Sequence, residues 1–245
     1  MSKRPHRSGT AAIFAVFSVI ASGCTTVAPG VESPVDQNLV RASLDAHSQG
    51  VDFRDMTFCT RPGTKALASV IRVATDSGSE ASGVVIAQDR VLTAAHVVDD
   101  SNTVLVYINE RYEQASVIAR DLTNDLALLS ADTQQIEPIR ISRRHLLSAE
   151  PVWTVGYPLA LDLKTNSGRY QQHVNGAIHS SAGTNAGASG GGLLNCESGE
   201  YELAGMIRGY GAYWRDGELH RLEDLSISVP ADTISAFANN AGVGL

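Results

Sequence analysis

Gly187-Ala188-Ser189-Gly190-Gly191 sets one serine among glycines. Glycine reaches backbone conformations closed to other residues, so the pentapeptide suits a tight turn whose amides point outward and stabilise an oxyanion. A flexible loop has the same composition, and G-x-S-x-G also marks the nucleophile turn of parallel-sheet hydrolases. The chain upstream separates these readings. Gly83 to Thr93 is β-rich and leads into Leu92-Thr93-Ala94-Ala95-His96-Val97-Val98, which puts His96 at a strand end, opening a short turn or helix. Asn124-Asp125-Leu126-Ala127-Leu128-Leu129 then sets a carboxylate at the mouth of an apolar run. Singly, these are a core histidine and a capping aspartate. In the order His96, Asp125, Ser189 they supply a nucleophile, a base, and an acid that fixes the base's tautomer. A parallel-sheet hydrolase places its acid and histidine after the serine, and only His220 follows Ser189.

Short β-rich runs surround these motifs: Ala66-Val73, Gly83-Ala87, Val91-Thr93, Thr103-Ile108, Ala115-Ile118 and Leu126-Leu129, then, after a linker near Glu137-Arg144, Val152-Tyr157, Gln171-Val174, Gly192-Asn195, Glu202-Arg208 and Leu225-Val229. Turn-prone polar clusters divide them, and long helical periodicity is nearly absent. The pattern predicts an all-β chain of two antiparallel six-stranded barrels, about 66–135 and 145–230, closed by a short helix over Ala231-Ala238.

The three motifs resemble those of the trypsin-like, chymotrypsin-fold serine proteases: Thr93-Ala94-Ala95-His96 the histidine motif, Asp125 to Leu129 the aspartate motif, Gly187 to Gly191 the serine motif. Ser82-Gly83-Val84-Val85-Ile86, Ser189 to Asn195 and Leu203-Ala204-Gly205-Met206-Ile207 are similar to the bacterial Htr-type periplasmic proteases. The chain after the second barrel is too short for the PDZ domain those proteins usually carry. The resemblance, over roughly 66–238 within a domain of 59–245, implies a serine endopeptidase acting on protein or peptide substrates. Ser189 is then the nucleophile, His96 the base, Asp125 the orienting acid, and the amides of Gly187 and Ser189 the oxyanion hole. Asp121 is the rival for the acid role but lacks the Leu-Ala-Leu-Leu continuation. Ala188 stands where the digestive members have an aspartate that pairs with a newly cut N-terminus, so activation by that cut is not expected. No acid near Gly183 and Thr184 selects Lys or Arg; with Ile207 and Tyr210 they are the candidate pocket for small or medium apolar side chains. Arg208 is the odd residue in its strand, a candidate to attract an acidic subsite residue. No cofactor or metal is required, since His173 and His179 lack partner spacing for a zinc site.

The remaining features concern address. Lys3, Arg4 and Arg7 precede an apolar run, Ala11 to Ala21, too short to span a bilayer. Residues 1–23 read as a signal peptide. Ala21-Ser22-Gly23-Cys24 resembles a bacterial lipobox with Cys24 lipidated; an ordinary signal peptide cleaved near Ala21 or Gly23 is the alternative. Residues 24–58 read as a lipidated N-terminus and tether. Thr25 after the cysteine favours the outer membrane, facing the periplasm. Of the 3 cysteines, Cys59 and Cys196 then remain, as a disulfide or as two buried thiols. Losing Lys3, Arg4 and Arg7 from 19 basic against 26 acidic residues takes the net charge from -7 to -10, which argues against a nucleic-acid partner. The membrane is reached through Cys24. A non-catalytic protein-binding lipoprotein on the same fold is the competing reading.

Overall fold

The computed structural model describes residues 59–244 apart from Gln134; the expected signal peptide, Cys24 and the tether lie outside them. The first barrel comprises β1 (Val70–Thr75), β2 (Glu80–Ala87), β3 (Arg90–Ala94), β4 (Val104–Ile108), β5 (Arg111–Asp121) and β6 (Leu126–Ser130). The second comprises β7 (Pro151–Gly156), β8 (Lys164–Val174), β9 (Ala177–Ser180), β10 (Gly192–Glu197), β11 (Glu200–Arg215) and β12 (Glu218–Pro230). Their orders are β1-β2-β3-β6-β5-β4 and β10-β11-β12-β9-β8-β7, each closed on itself. Every neighbouring pair is antiparallel. The expected all-β double barrel is thus the fold.

Side-chain alternation explains the closure. In β4, Val104, Val106 and Ile108 are buried while Leu105 and Tyr107 turn outward. In β6, Leu126 to Leu129 are buried without a break, because one face lines the barrel and the other meets neighbouring structure. One apolar core runs from the first barrel into the second through Val155, Leu194, Leu203 and Met206. Each such side chain contributes about 1.5–3 kcal/mol on burial.

Several elements depart from the expected outline, among them β5 (Arg111–Asp121) and β8 (Lys164–Val174), both longer than expected. The run from Ala66 opens as a helix, α1 (Thr64–Ala68), before β1, since Ala-Leu-Ala favours a helical turn over an extended one. Strand β9 is absent from the sequence reading. It follows Asn175-Gly176, where both residues have positive φ (50° and 77°), the tight hairpin turn for which Asn-Gly is suited. Strands β11 and β12 extend well past the expected Arg208 and start before Leu225. A one-turn helix, α2 (Ala95–Val98), follows β3, and α3 (Ala231–Asn240) closes the fold by burying Ile234 and Ala238, one turn apart. Cys59 is disulfide-bonded to Cys196, with Cα atoms 6.2 Å apart, joining the start of the described chain to the end of β10.

Candidate active site

β3 and β6 are ladder neighbours with Ala94 opposite Leu126, so the residues just beyond that edge meet. These are His96, second in α2, and Asp125, immediately before β6. The Ala95 N–H donates to the Asp125 carbonyl (3.1 Å) and the His96 N–H to Asp125 Oδ1 (2.9 Å). The His96 ring Nδ1 lies 3.0 Å from Oδ1 and 2.9 Å from Oδ2. A carboxylate only accepts, so Nδ1 carries a proton, and in the neutral ring the lone pair is then on Nε2. Asp125 holds φ 59°, a left-handed conformation that aspartate tolerates better than most residues. It is 7% exposed, whereas His96 faces solvent. Burial pushes the Asp125 carboxyl up, but the hydrogen bonds from the His96 ring and backbone, with the charges of His96 and Arg208, hold it below its ordinary value.

Ser189 comes from the loop between β9 and β10. The Ala188 N–H donates to the Asn185 carbonyl (3.1 Å), closing a four-residue turn with Gly187 in third place at φ 87°. The Ala186 carbonyl accepts from the Leu159 N–H (2.7 Å). Because the peptide is planar and trans, the Gly187 N–H points the other way. Among the described residues, neither the Gly187 nor the Ser189 amide donates to a protein acceptor.

The first barrel holds this loop in place. Ser82 Oγ donates to the Gly187 carbonyl (2.9 Å) and accepts from the Tyr157 N–H (2.9 Å). The Ser82 N–H donates to the Ser189 carbonyl (2.9 Å). Thr93 Oγ1 donates to the Ser82 carbonyl (2.8 Å). A Cβ on Gly190, whose φ is 83°, would stand 2.1 Å from the Ser82 carbonyl oxygen and 2.4 Å from Thr93 Oγ1. Only glycine lets the two backbones approach so closely.

Arg208 touches two of the three motifs. Its carbonyl accepts from Ser189 Oγ at 3.5 Å, so in this structure the hydroxyl is turned to β11 and not to His96. Its Nε lies 3.5 Å from Asp125 Oδ2. With His96, Asp99 and Leu122 it lines a cleft of about 390 Å³. A larger cavity, about 700 Å³, sits beside the disulfide against Lys65 and Tyr201 and shares none of these residues.

Of the four candidate pocket residues, Ile207 is 1% exposed and Thr184 is buried, while Tyr210 is half-buried. A Cβ on Gly183 would meet the Glu223 carbonyl oxygen at 2.0 Å. Arg221 donates to the Thr184 carbonyl and pairs with Glu223, closing this wall further. Asp121 accepts from the Thr123 and Asn124 backbones and from the Asn124 side chain, and so shapes a turn away from His96. His173 and His179 are on β8 and β9, outside this cluster.

Residues 81–206, just over half the chain, match the family profile described as trypsin-like peptidase domain. The chain belongs to the trypsin-like peptidases. "Serine protease Rv3671c" of Mycobacterium tuberculosis is 35% identical over 79 residues, 32% of this peptidase-family chain and 20% of the relative. A "Probable periplasmic serine endoprotease DegP-like" of Pseudomonas fluorescens is 28% identical over 182 residues, 69% of this chain and 36% of the relative. The chain therefore spans a fifth to about a third of the length of these two relatives. The crystal structure of the Rv3671c protease in its active form superposes with a TM-score of 0.63 at 19% identity, covering 90% of this chain and 96% of that one.

Within this trypsin-like peptidase, Ser82 and Thr93 support the Ser189 loop, Arg221 and Glu223 the wall of the candidate pocket, and sequence reasoning gave them no such role. Ser82 and Thr93 stand inside the stretches Ser82 to Ile86 and Thr93 to His96 that were visible, so proximity to Gly83 and His96 was a usable signal. Arg221 and Glu223 stood in a charged run that reads as solvated surface.

Proposed function

We propose that the chain is a serine endopeptidase that hydrolyses peptide bonds through an acyl-enzyme. The observation that carries this reading is the double grip of Asp125 on His96, through backbone N–H and ring Nδ1, which fixes the ring with Nε2 free to accept a proton. Ser189 Oγ rotates from the Arg208 carbonyl toward His96, attacks the substrate carbonyl and gives its proton to Nε2. The oxyanion accepts from the Gly187 and Ser189 amides. His96 then protonates the leaving amine, and water, deprotonated by His96, releases the acyl group and restores Ser189. The tightness at Gly183, beside a Glu223 carboxylate already paired with Arg221, favours small or medium apolar side chains before the cut. The chain is exported to the cell envelope and anchored through lipid at Cys24; the signal-like residues 1–23 and the periplasmic relatives support that address.

The Ser189 hydroxyl's contact with Arg208 favours a second reading in one respect: a protein of this fold that binds without cutting keeps its serine disengaged. A fluorophosphonate probe separates the two. Covalent labelling of the wild type, abolished in Ser189→Ala, is the expected result. Absence of labelling in folded, membrane-anchored protein would overturn the enzymatic reading.

A further inference from the structure

The chain between β7 and β8 lies against the Ser189 loop, and it is strained where it does so. Leu159 and Ala160 both hold φ 57°. This left-handed conformation is unfavourable for residues with a Cβ, which adopt it singly and seldom in succession. Burial does not hold them there, since Leu159 and Leu161 are each 58% exposed. Polar contacts do. The Leu161 N–H donates to the Pro158 carbonyl (3.1 Å), and the Arg72 guanidinium donates to the Ala160 carbonyl (3.2 Å).

Arg72 belongs to the first barrel. It stands on β1 directly opposite Ser82 on β2. Its guanidinium lies 4.9 Å from the centroid of the Tyr157 ring and 6.0 Å from that of Tyr107. Among the described residues it has no carboxylate partner. A planar cation held against aromatic rings keeps little freedom, so its N–H groups are aimed in advance. Tyr157 is itself tied to the first barrel at both ends: its N–H donates to Ser82 Oγ (2.9 Å) and its hydroxyl to the Val70 carbonyl (3.4 Å). The turn bears on the oxyanion donors. The Leu159 N–H bonds to the Ala186 carbonyl at 2.7 Å, which sends the Gly187 N–H the other way. A Cβ on Gly187 would stand 2.8 Å from the Leu159 nitrogen and 2.8 Å from the Tyr157 carbonyl oxygen.

We propose that Arg72 is a positioning residue for the reaction: its hold on the Ala160 carbonyl locks the strained turn that presents the Leu159 N–H to Ala186 and so aims the Gly187 amide at the oxyanion. This rests on the peptidase reading. Without the guanidinium, Leu159 and Ala160 relax, the Leu159 N–H leaves the Ala186 carbonyl, and the 186–187 peptide loses the contact that sets its direction. An oxyanion donor bonds most strongly to the charge that develops on the substrate oxygen. Loss of Arg72 therefore acts on kcat and leaves KM largely alone.

Arg72→Met keeps an unbranched stem and removes the donors. In the full chain, fluorophosphonate labelling and kcat for an Ala-Ala-Val nitroanilide should each fall about 10- to 100-fold, with KM within about twofold of wild type. Arg72→Lys keeps the charge and a donor but not the planar stacking, and should fall between wild type and Arg72→Met. Adding Ala160→Gly to Arg72→Met should recover most of the lost rate, because glycine holds a left-handed φ without help. Amide hydrogen exchange reads the turn without turnover: the Leu159 N–H should exchange about tenfold faster in Arg72→Met and slow again with Ala160→Gly. A purely structural role would lower the melting temperature and leave a loss that Ala160→Gly does not repair; that result overturns the proposal. So does unchanged labelling or unchanged Leu159 exchange in Arg72→Met, or a loss carried by KM alone. A wild type that neither labels nor cleaves sinks the peptidase reading, and the exchange at Leu159 then decides by itself whether Arg72 sets the turn.

Discussion

Asp125 concentrates the electrostatics of the site in one buried carboxylate. Asp125→Asn keeps the shape but offers an amide donor to His96, so the ring turns to the wrong tautomer. Fluorophosphonate labelling should slow by about 10⁴, read as a second-order rate constant against wild type. Stability should respond to pH in a set direction. The lowered carboxyl contributes fully above the ordinary carboxylate value near 3.9, and that contribution is lost as pH falls through its own lower value. The melting-temperature gap between wild type and Asp125→Asn should therefore shrink as pH falls below about 4. Arg208→Met removes one of the charges holding the carboxyl down, and its acid-unfolding midpoint, followed by circular dichroism, should lie at higher pH than that of the wild type. The meeting of His96 with Asp125 was legible in the sequence because motif neighbours mark both residues. The hold of Arg208 on Asp125 was not, because it joins strands from different barrels and no local pattern records it.

At the scale of the element, the loop that carries Ser189 is shaped from outside. Gly190→Ala drives a methyl group into the Ser82 backbone at a left-handed position, and should cost about 1–3 kcal/mol and abolish labelling. Ser82→Ala strips partners from the Gly187 carbonyl and the Tyr157 amide. It should destabilise the fold by about 1–3 kcal/mol in urea unfolding and slow labelling without eliminating it. The barrels were readable because strands such as β4 alternate cleanly. The long hairpin was under-read because neither face of its outer half is buried. Gly209 and Gly211 interrupt β11, and Glu218 to Asp224 carry charges, so no apolar period marks these stretches as strand. Strand β9 is four residues long, and only its Asn175-Gly176 turn announced it.

For the whole molecule, the order of three motifs was enough to choose a double barrel over a parallel-sheet fold, because chain order reports topology. The disulfide was left open, since spacing alone does not reveal that Cys59 and Cys196 adjoin. It closes a separation of 137 residues. Replacing both cysteines by serine should lower stability by up to about 5 kcal/mol in the chain-entropy account, seen as an earlier guanidinium midpoint with labelling retained in the folded protein.

The seam between Ser82, Thr93 and the candidate nucleophile loop also divides the site between the two barrels. The first barrel carries both His96 and Asp125, while Ser189 follows 64 residues after Asp125 and is held from across the seam by the Ser82 backbone. A change in how the two barrels meet therefore reaches Ser189 directly, while the His96–Asp125 contact, held within one ladder, is insulated from it.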